Sequence, residues 1–162
     1  MPKAAFIVSN MTEQRQNLMN LVHPVIPIDG YGKAFDSSIK DHSSSGFLKR
    51  DLLMSYQYCL CPENSISPGY YTEKIPEAYI SGAIPITFCD SMVEVDFSPA
   101  SFINLIKFVD GDQFASSAFE DCLHKKDFLA ELLCTPLIAY SLEDRMSDFK
   151  YFVAGIISKA LS

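Results

Sequence analysis

Short apolar segments alternate with helical patterns along the first two thirds of the chain, and that alternation constrains the fold more than any other feature. Residues 4–8, 25–28, 56–61, 83–88 and 101–105 read as strands, and 12–22, 47–55 and 72–81 read as helices between them. These strands are short and mostly apolar, with only 56–61 alternating weakly, as in a parallel sheet covered by helices on both faces. The expected fold is therefore α/β: a Rossmann-like parallel sheet with helices on both faces. Pro85 inside the fourth strand argues for a strand end or an irregular edge. Beyond residue 105 the pattern is mostly helical, over 112–124, 126–133 and 142–161. The last of these carries an apolar stripe of Phe149, Phe152, Val153, Ile156 and Ile157. The polar stretch 29–46 has no clear period and reads as a mobile loop. At 162 residues, one domain over 1–162 is expected, with the segment of about 142–162 packing on it.

Composition narrows the function classes. A formal net charge of −7 argues against a nucleic-acid surface. No apolar run approaches the roughly 20 residues of a membrane span, and residues 4–8 are too short for a signal-peptide core. The five cysteines, Cys59, Cys61, Cys89, Cys122 and Cys134, are odd in number and irregular in spacing. They read as reduced structural thiols, so a cytoplasmic protein is expected. His23, His42 and His124 are too scattered for a zinc site.

In an open parallel sheet, ligands bind beyond the carboxyl ends of the strands. Three polar clusters fall there: Ser9-Asn10 with Arg15 in the following helix; Asp29-Gly30-Tyr31-Gly32-Lys33; and Glu63-Asn64-Ser65 followed by Gly69-Tyr70-Tyr71-Thr72-Glu73-Lys74. In the third, Thr72 is a candidate helix N-cap with Lys74 in the first turn, where the helix dipole disfavours a cation. Free backbone N–H groups and a lysine together suit an anion, and a diphosphate is the natural guest. Arg15 supplies a bidentate partner. Asn64, Ser65 and Glu73 suit sugar hydroxyls, and Tyr70 or Tyr71 suits a flat ring. Against this stand blander readings: Lys74 as a solvated side chain, Glu63-Asn64-Ser65 as a self-satisfied turn, and Arg15 as a surface ion-pair partner. Gly30-x-Gly32 lacks a third glycine, and neither a Gly-Lys-Ser/Thr phosphate loop nor a Gly-x-Ser-x-Gly elbow occurs.

The run from Tyr56 through Cys61-Pro62-Glu63-Asn64-Ser65 to Tyr70-Tyr71-Thr72-Glu73-Lys74-Ile75 resembles the signature of the α-1,3/4-fucosyltransferases, glycosyltransferase family ten. That family carries Glu-Asn-Ser, a spacer, then Tyr-x-Thr-Glu-Lys. Ala83-Ile84-Pro85-Ile86, Asp96-Phe97-Ser98-Pro99, Ser101-Phe102-Ile103-Asn104, Val8-Ser9-Asn10 with Arg15, and Asp29-Gly30-Tyr31-Gly32 are similar to further family segments, so the likeness spans roughly residues 4–140. It implies the C-terminal, GDP-fucose-binding half of a two-domain B-type glycosyltransferase, without the N-terminal acceptor domain.

By the resemblance, Arg15 and Lys74 neutralise the diphosphate, while Tyr70, Glu73 and Asn64 contact the nucleotide sugar. Ser9, Asn10, Glu63, Ser65 and Thr72 complete the expected donor site. No obligatory cofactor and no metal are expected, since two cations already face the diphosphate. The implied reaction is inverting transfer to a glycan acceptor. A partner chain or homo-oligomer would supply the acceptor site and the general base, which matches no residue here. The alternative is a non-catalytic GDP-sugar-binding module or remnant. One departure stands out: Pro62 occupies a position where the family usually has an aromatic residue.

Overall fold

The computed structural model describes residues 2–35, 46–138 and 140–160. Much of the expected loop 29–46 and the end of the last helix therefore lie outside the described residues. The order is β1 (Ala4–Ile7), α1 (Glu13–Val22), β2 (Ile28–Tyr31), α2 (Gly46–Leu53), β3 (Tyr58–Leu60), α3 (Lys74–Ile80), β4 (Ile84–Thr87), α4 (Val93–Asp96) and β5 (Ile103–Asn104). A 3-10 turn (Leu105–Phe108) leads into the short hairpin β6 (Val109–Asp110) and β7 (Gln113–Phe114). Then come α5 (Ser116–His124), α6 (Lys126–Cys134) and α7 (Leu142–Ala160).

Five strands form one parallel sheet in the order β2-β1-β3-β4-β5. Successive side chains of a strand point to opposite faces, and each face is closed by its own helices. Ala4, Phe6, Tyr58, Leu60, Ile84 and Ile86 pack with Leu18 and Val22 of α1, Phe119 of α5 and Leu132 of α6. Ala5, Cys59 and Cys61 pack on the other face with Leu53 of α2, Ile75 and Ala78 of α3, and Val93 of α4. Chain direction across the sheet reverses between β1 and β3, because β1 continues to one side and β3 to the other. The crevice at such a switch point opens beyond the carboxyl ends of both strands.

Several boundaries differ from expectation, each for a local reason. The second strand is shifted three residues, from 25–28 to Ile28–Tyr31. Val25 and Ile26 instead donate to the Val22 carbonyl and close α1, which moves Asp29 and Gly30 out of the loop and into the sheet. Pro85 lies inside the sheet, not on its edge. Ile84 N–H donates to Gln57 O, and Ile86 O accepts from Cys61 N–H. Backbone groups alternate sides, so Pro85 faces β5, and β5 begins only opposite Ile86. The missing N–H therefore costs no ladder bond. Residues 113–114 form β7, so α5 starts at Ser116 and not near 112.

Three residues of the α7 stripe are exposed where packing is expected, Val153 is half-buried, and the Ile157 side chain lies outside the described residues. Phe149, Phe152 and Ile156 are 63%, 66% and 53% exposed. The described contacts of this segment are polar: Arg145 Nη2 donates to Val95 O at 3.0 Å and to Asp96 Oδ1 at 3.3 Å, and its guanidinium lies 4.2 Å from the Tyr140 ring centroid. No helix among the described residues is long and apolar enough to cross a membrane.

Candidate functional site at the carboxyl ends of β1 and β3

The site is assembled from α1 and the segment joining β3 to α3. Thr12 caps α1, its hydroxyl accepting from Arg15 N–H at 3.4 Å, and Glu13 in the first turn complements the helix dipole. The cap places Arg15 at the third helical position, directly beside the end of β1. There Arg15 Nη1 donates to Asn10 O at 2.5 Å and Nη2 to Asn64 Oδ1 at 2.6 Å. Its Nε is buried with no partner among the described residues. These partners are neutral, so among the described residues Arg15 has no ion pair of the kind the blander reading expects. Asn64 Nδ2 reaches Tyr70 Oη at 3.4 Å.

Behind this arrangement lies a buried carboxylate. The side chain of Glu63 is 1% exposed. It accepts from Thr72 N–H at 2.8 Å, from Thr72 Oγ1 at 3.0 and 3.2 Å, and from Lys74 Nζ at 2.8 Å. Lys74 Nζ also donates to Thr72 Oγ1 at 2.7 Å. A buried charge persists only when paired and saturated with hydrogen bonds, and Glu63 is both. Thr72 is therefore not the N-cap of α3. The helix begins one residue later than a Thr72 cap would start it, with Glu73 at the cap position and no side-chain cap bond. At the start of α3 the Thr72 N–H is thus taken by Glu63 in a side-chain knot, and Glu63-Asn64-Ser65 is more than a self-satisfied turn.

A cavity of about 350 Å³ opens in front of the knot, lined by Ile7, Val8, Ser9, Asn10, Thr12, Arg15, Gly32, Lys49, Asn64 and Lys74. Of the residues expected from sequence, Ser9, Asn10, Arg15, Asn64 and Lys74 meet on this wall. Glu63 and Thr72 lie behind it, and Tyr70 touches it through Asn64. Half-buried Ser65 and exposed Glu73 do not line it. Glu73 keeps its carboxyl below the usual range through a bond from its own backbone N–H, aided by the Lys74 charge against some burial. Tyr71, the other ring candidate, is engaged elsewhere. It stacks edge-on against Phe97 and donates to Asp96, and burial followed by that bond pushes its hydroxyl up to about 12.

Two cavity residues carried little or no sequence signal. Gly32 has φ +89° and a Cβ there would meet Val8 O at 2.4 Å, so only glycine lets the end of β2 approach β1 this closely. Gly30-x-Gly32 marked the place without its reason. Lys49 comes from α2 and pairs with Glu77; nothing local distinguishes it from any solvated helix lysine. The cysteines all carry free thiols. Cys61, fully enclosed beneath the knot, donates to Lys74 O at 3.3 Å, and burial raises its pKa well above the ordinary value. It is a packing residue with little thiolate character. Among the described residues, no group of three or more His, Cys, Asp or Glu side chains could hold a metal ion.

Comparisons with known proteins agree in kind. The family model described as glycosyltransferase family 10 (fucosyltransferase) C-term matches residues 2–120. An alpha-(1,3)-fucosyltransferase, FucT, of Helicobacter pylori is 31% identical over 138 residues, which cover 83% of this chain and 27% of that protein. A crystal structure of an alpha1,3-fucosyltransferase with GDP-fucose is 27% identical with a TM-score of 0.70, over 87% of this chain and 40% of that one. A second alpha1,3-fucosyltransferase crystal structure is 29% identical with a TM-score of 0.68, over 83% of this chain and 37% of that one. The chain thus spans about a quarter to two fifths of the length of these relatives.

Proposed function

Because the chain belongs to glycosyltransferase family 10, matching the C-terminal domain of its fucosyltransferases, we propose that it is the donor half of a fucosyltransferase and binds GDP-fucose or a related GDP-sugar in the cavity beyond β1 and β3. The observation that carries this reading is the meeting of Arg15, Lys49 and Lys74 with Asn64 and Ser9 on one wall at the switch point of the sheet. A relative solved with GDP-fucose supports the choice of guest. Arg15 offers the diphosphate a planar cation already oriented by Asn10 and Asn64. Lys74, immobilised by Glu63 and Thr72, offers a fixed positive charge. Ser9, Asn10 and Asn64 on the wall, with Tyr70 bonded to Asn64, suit the hydroxyls and ring of the nucleotide sugar.

The chemistry in this proposal is inverting transfer. A glycan hydroxyl attacks the anomeric carbon, the bond from that carbon to the diphosphate oxygen breaks, and GDP leaves with the electron pair. Cations already oriented toward the leaving diphosphate stabilise its developing charge with little reorganisation. The proton of the acceptor hydroxyl goes to a carboxylate general base. Base and acceptor site come from a second domain or subunit, in this polypeptide or another. No metal is required in this scheme, since Arg15 and Lys74 face the charge a metal would neutralise. The free thiols support a reducing compartment, and we place the chain in the cytoplasm.

Calorimetric titration with GDP and GDP-fucose, with ADP and UDP as controls, tests the reading. Selective uptake of the guanine nucleotides, undiminished by EDTA, is the expected result. Equal binding of all four, or none at millimolar concentration, removes it.

A further inference from the structure

We propose that Lys49 is a third diphosphate contact, held in reserve by Glu77 and transferred to the phosphates when a nucleotide sugar binds; the inference rests on the donor-site reading above. Lys49 stands on the wall between two cavities. One is the donor cavity; the other, of about 140 Å³, lies between α2 and α3 and is lined by both Lys49 and Glu77. Glu77 lines the smaller one and not the donor cavity, so its ion pair with Lys49 holds the ammonium toward that side.

The charges on the donor wall show what a third cation adds. A nucleoside diphosphate sugar carries one negative charge on each bridged phosphate. Lys74 is already balanced by Glu63, a carboxylate with a 1% exposed side chain that cannot exchange its partner for water. Among the described residues, Arg15, with its neutral partners, is then the one lining cation with no carboxylate beside it. Lys49 is paired too, but its partner differs from Glu63. The Glu77 side chain is 42% exposed, so water takes over its carboxylate when the lysine leaves. Exchanging this weak pair for a charge-assisted bond to phosphate is favourable. The long, flexible lysine stem lets the ammonium turn toward the donor cavity, which Lys49 also lines.

A double-mutant cycle read by GDP titration of the 162-residue chain tests the exchange. Lys49→Met keeps most of the apolar stem and is expected to weaken GDP binding about tenfold, equivalent to about 1.4 kcal/mol. Glu77→Gln is expected to tighten it about threefold, because the lysine no longer leaves a carboxylate, and this gain disappears when Lys49→Met is also present. Lys49→Met also flattens the dependence of log K on log salt. A purely structural pair predicts the opposite for Glu77→Gln, namely unchanged or weaker binding, and either result overturns the inference. So does wild-type affinity in Lys49→Met. If wild-type protein binds no guanine nucleotide, the donor-site reading itself falls, and the inference falls with it. Thermal melts of each variant within a few degrees of wild type confirm that folded proteins are being compared.

Discussion

Two lysine–carboxylate networks sit at opposite ends of the sheet, and their difference shows how burial decides what an ion pair does. At the carboxyl end, Lys74 meets a Glu63 whose side chain is 1% exposed and whose oxygens are saturated by Thr72. At the amino end, Lys3 meets Asp29 at 2.9 Å, but the two side chains are 53% and 35% exposed. Tyr56 donates to Asp29 Oδ2 at 2.9 Å and is in turn bonded to Tyr31. The first network has no water to fall back on, so it behaves as one structural unit. The second exchanges freely with solvent and only trims the edge of the sheet.

The largest expected effect is on the buried network. Glu63→Ala leaves Lys74 and the Thr72 N–H without their acceptor, and we expect a loss of about 3–5 kcal/mol of stability in chemical denaturation. A loss below 1 kcal/mol would mean that water reaches the knot, erasing the contrast. Lys74→Ala is a poor probe of binding for the same reason, because it strands the Glu63 carboxylate and mixes unfolding with lost affinity.

Arg15 separates binding from stability, since its partners are neutral and retain access to solvent. Arg15→Ala is expected to weaken GDP binding by about 1.5–3 kcal/mol, the range for a hydrogen bond to a charged group. Arg15→Lys recovers only part of this, because an ammonium cannot make the planar fork. Titration curves that coincide with wild type for either variant would take Arg15 out of the site.

The exposed network should respond weakly and with a defined pH sign. Hydrogen bonds from Lys3 and then Tyr56 hold the Asp29 carboxyl below its ordinary value of 3.8. A depressed folded pKa contributes stability above the unfolded value and loses it as pH falls through the folded one. Asp29→Asn is thus expected to cost about 0–1 kcal/mol at neutral pH, with the difference shrinking as pH drops below 3.8. A penalty growing toward acid pH would reverse the assignment. Smallest of all is Phe149→Ser on the exposed face of α7, expected within about 0.5 kcal/mol of wild type. A large drop in melting temperature there would show that the stripe is covered in solution.

Much of the fold was legible because the sheet is buried on both faces. Phe6, Leu60 and Ile86 follow an uninterrupted apolar rule that needs no partner to be named. Boundaries were less legible. Val25 and Ile26 read as a strand but close a helix, and the choice rests on backbone bonds to Val22 that no side chain announces. Of the site, Arg15, Asn64 and Lys74 stood out from a motif. Lys49 did not, since a lysine within a helical segment carries no mark of the cavity it faces.

What the sequence determined by itself was the class of fold, the family and the set of polar residues gathered at one end of the sheet, because periodicity and motif spacing are local properties of the chain. Tertiary structure alone decided which of those residues face the cavity. Glu63, Asn64 and Ser65 are consecutive, yet one is buried behind the wall, one lines it, and one does neither. It also decided that Thr72 serves a carboxylate instead of capping a helix. Burial and partner geometry set those roles, and both arise only when segments distant in sequence pack together.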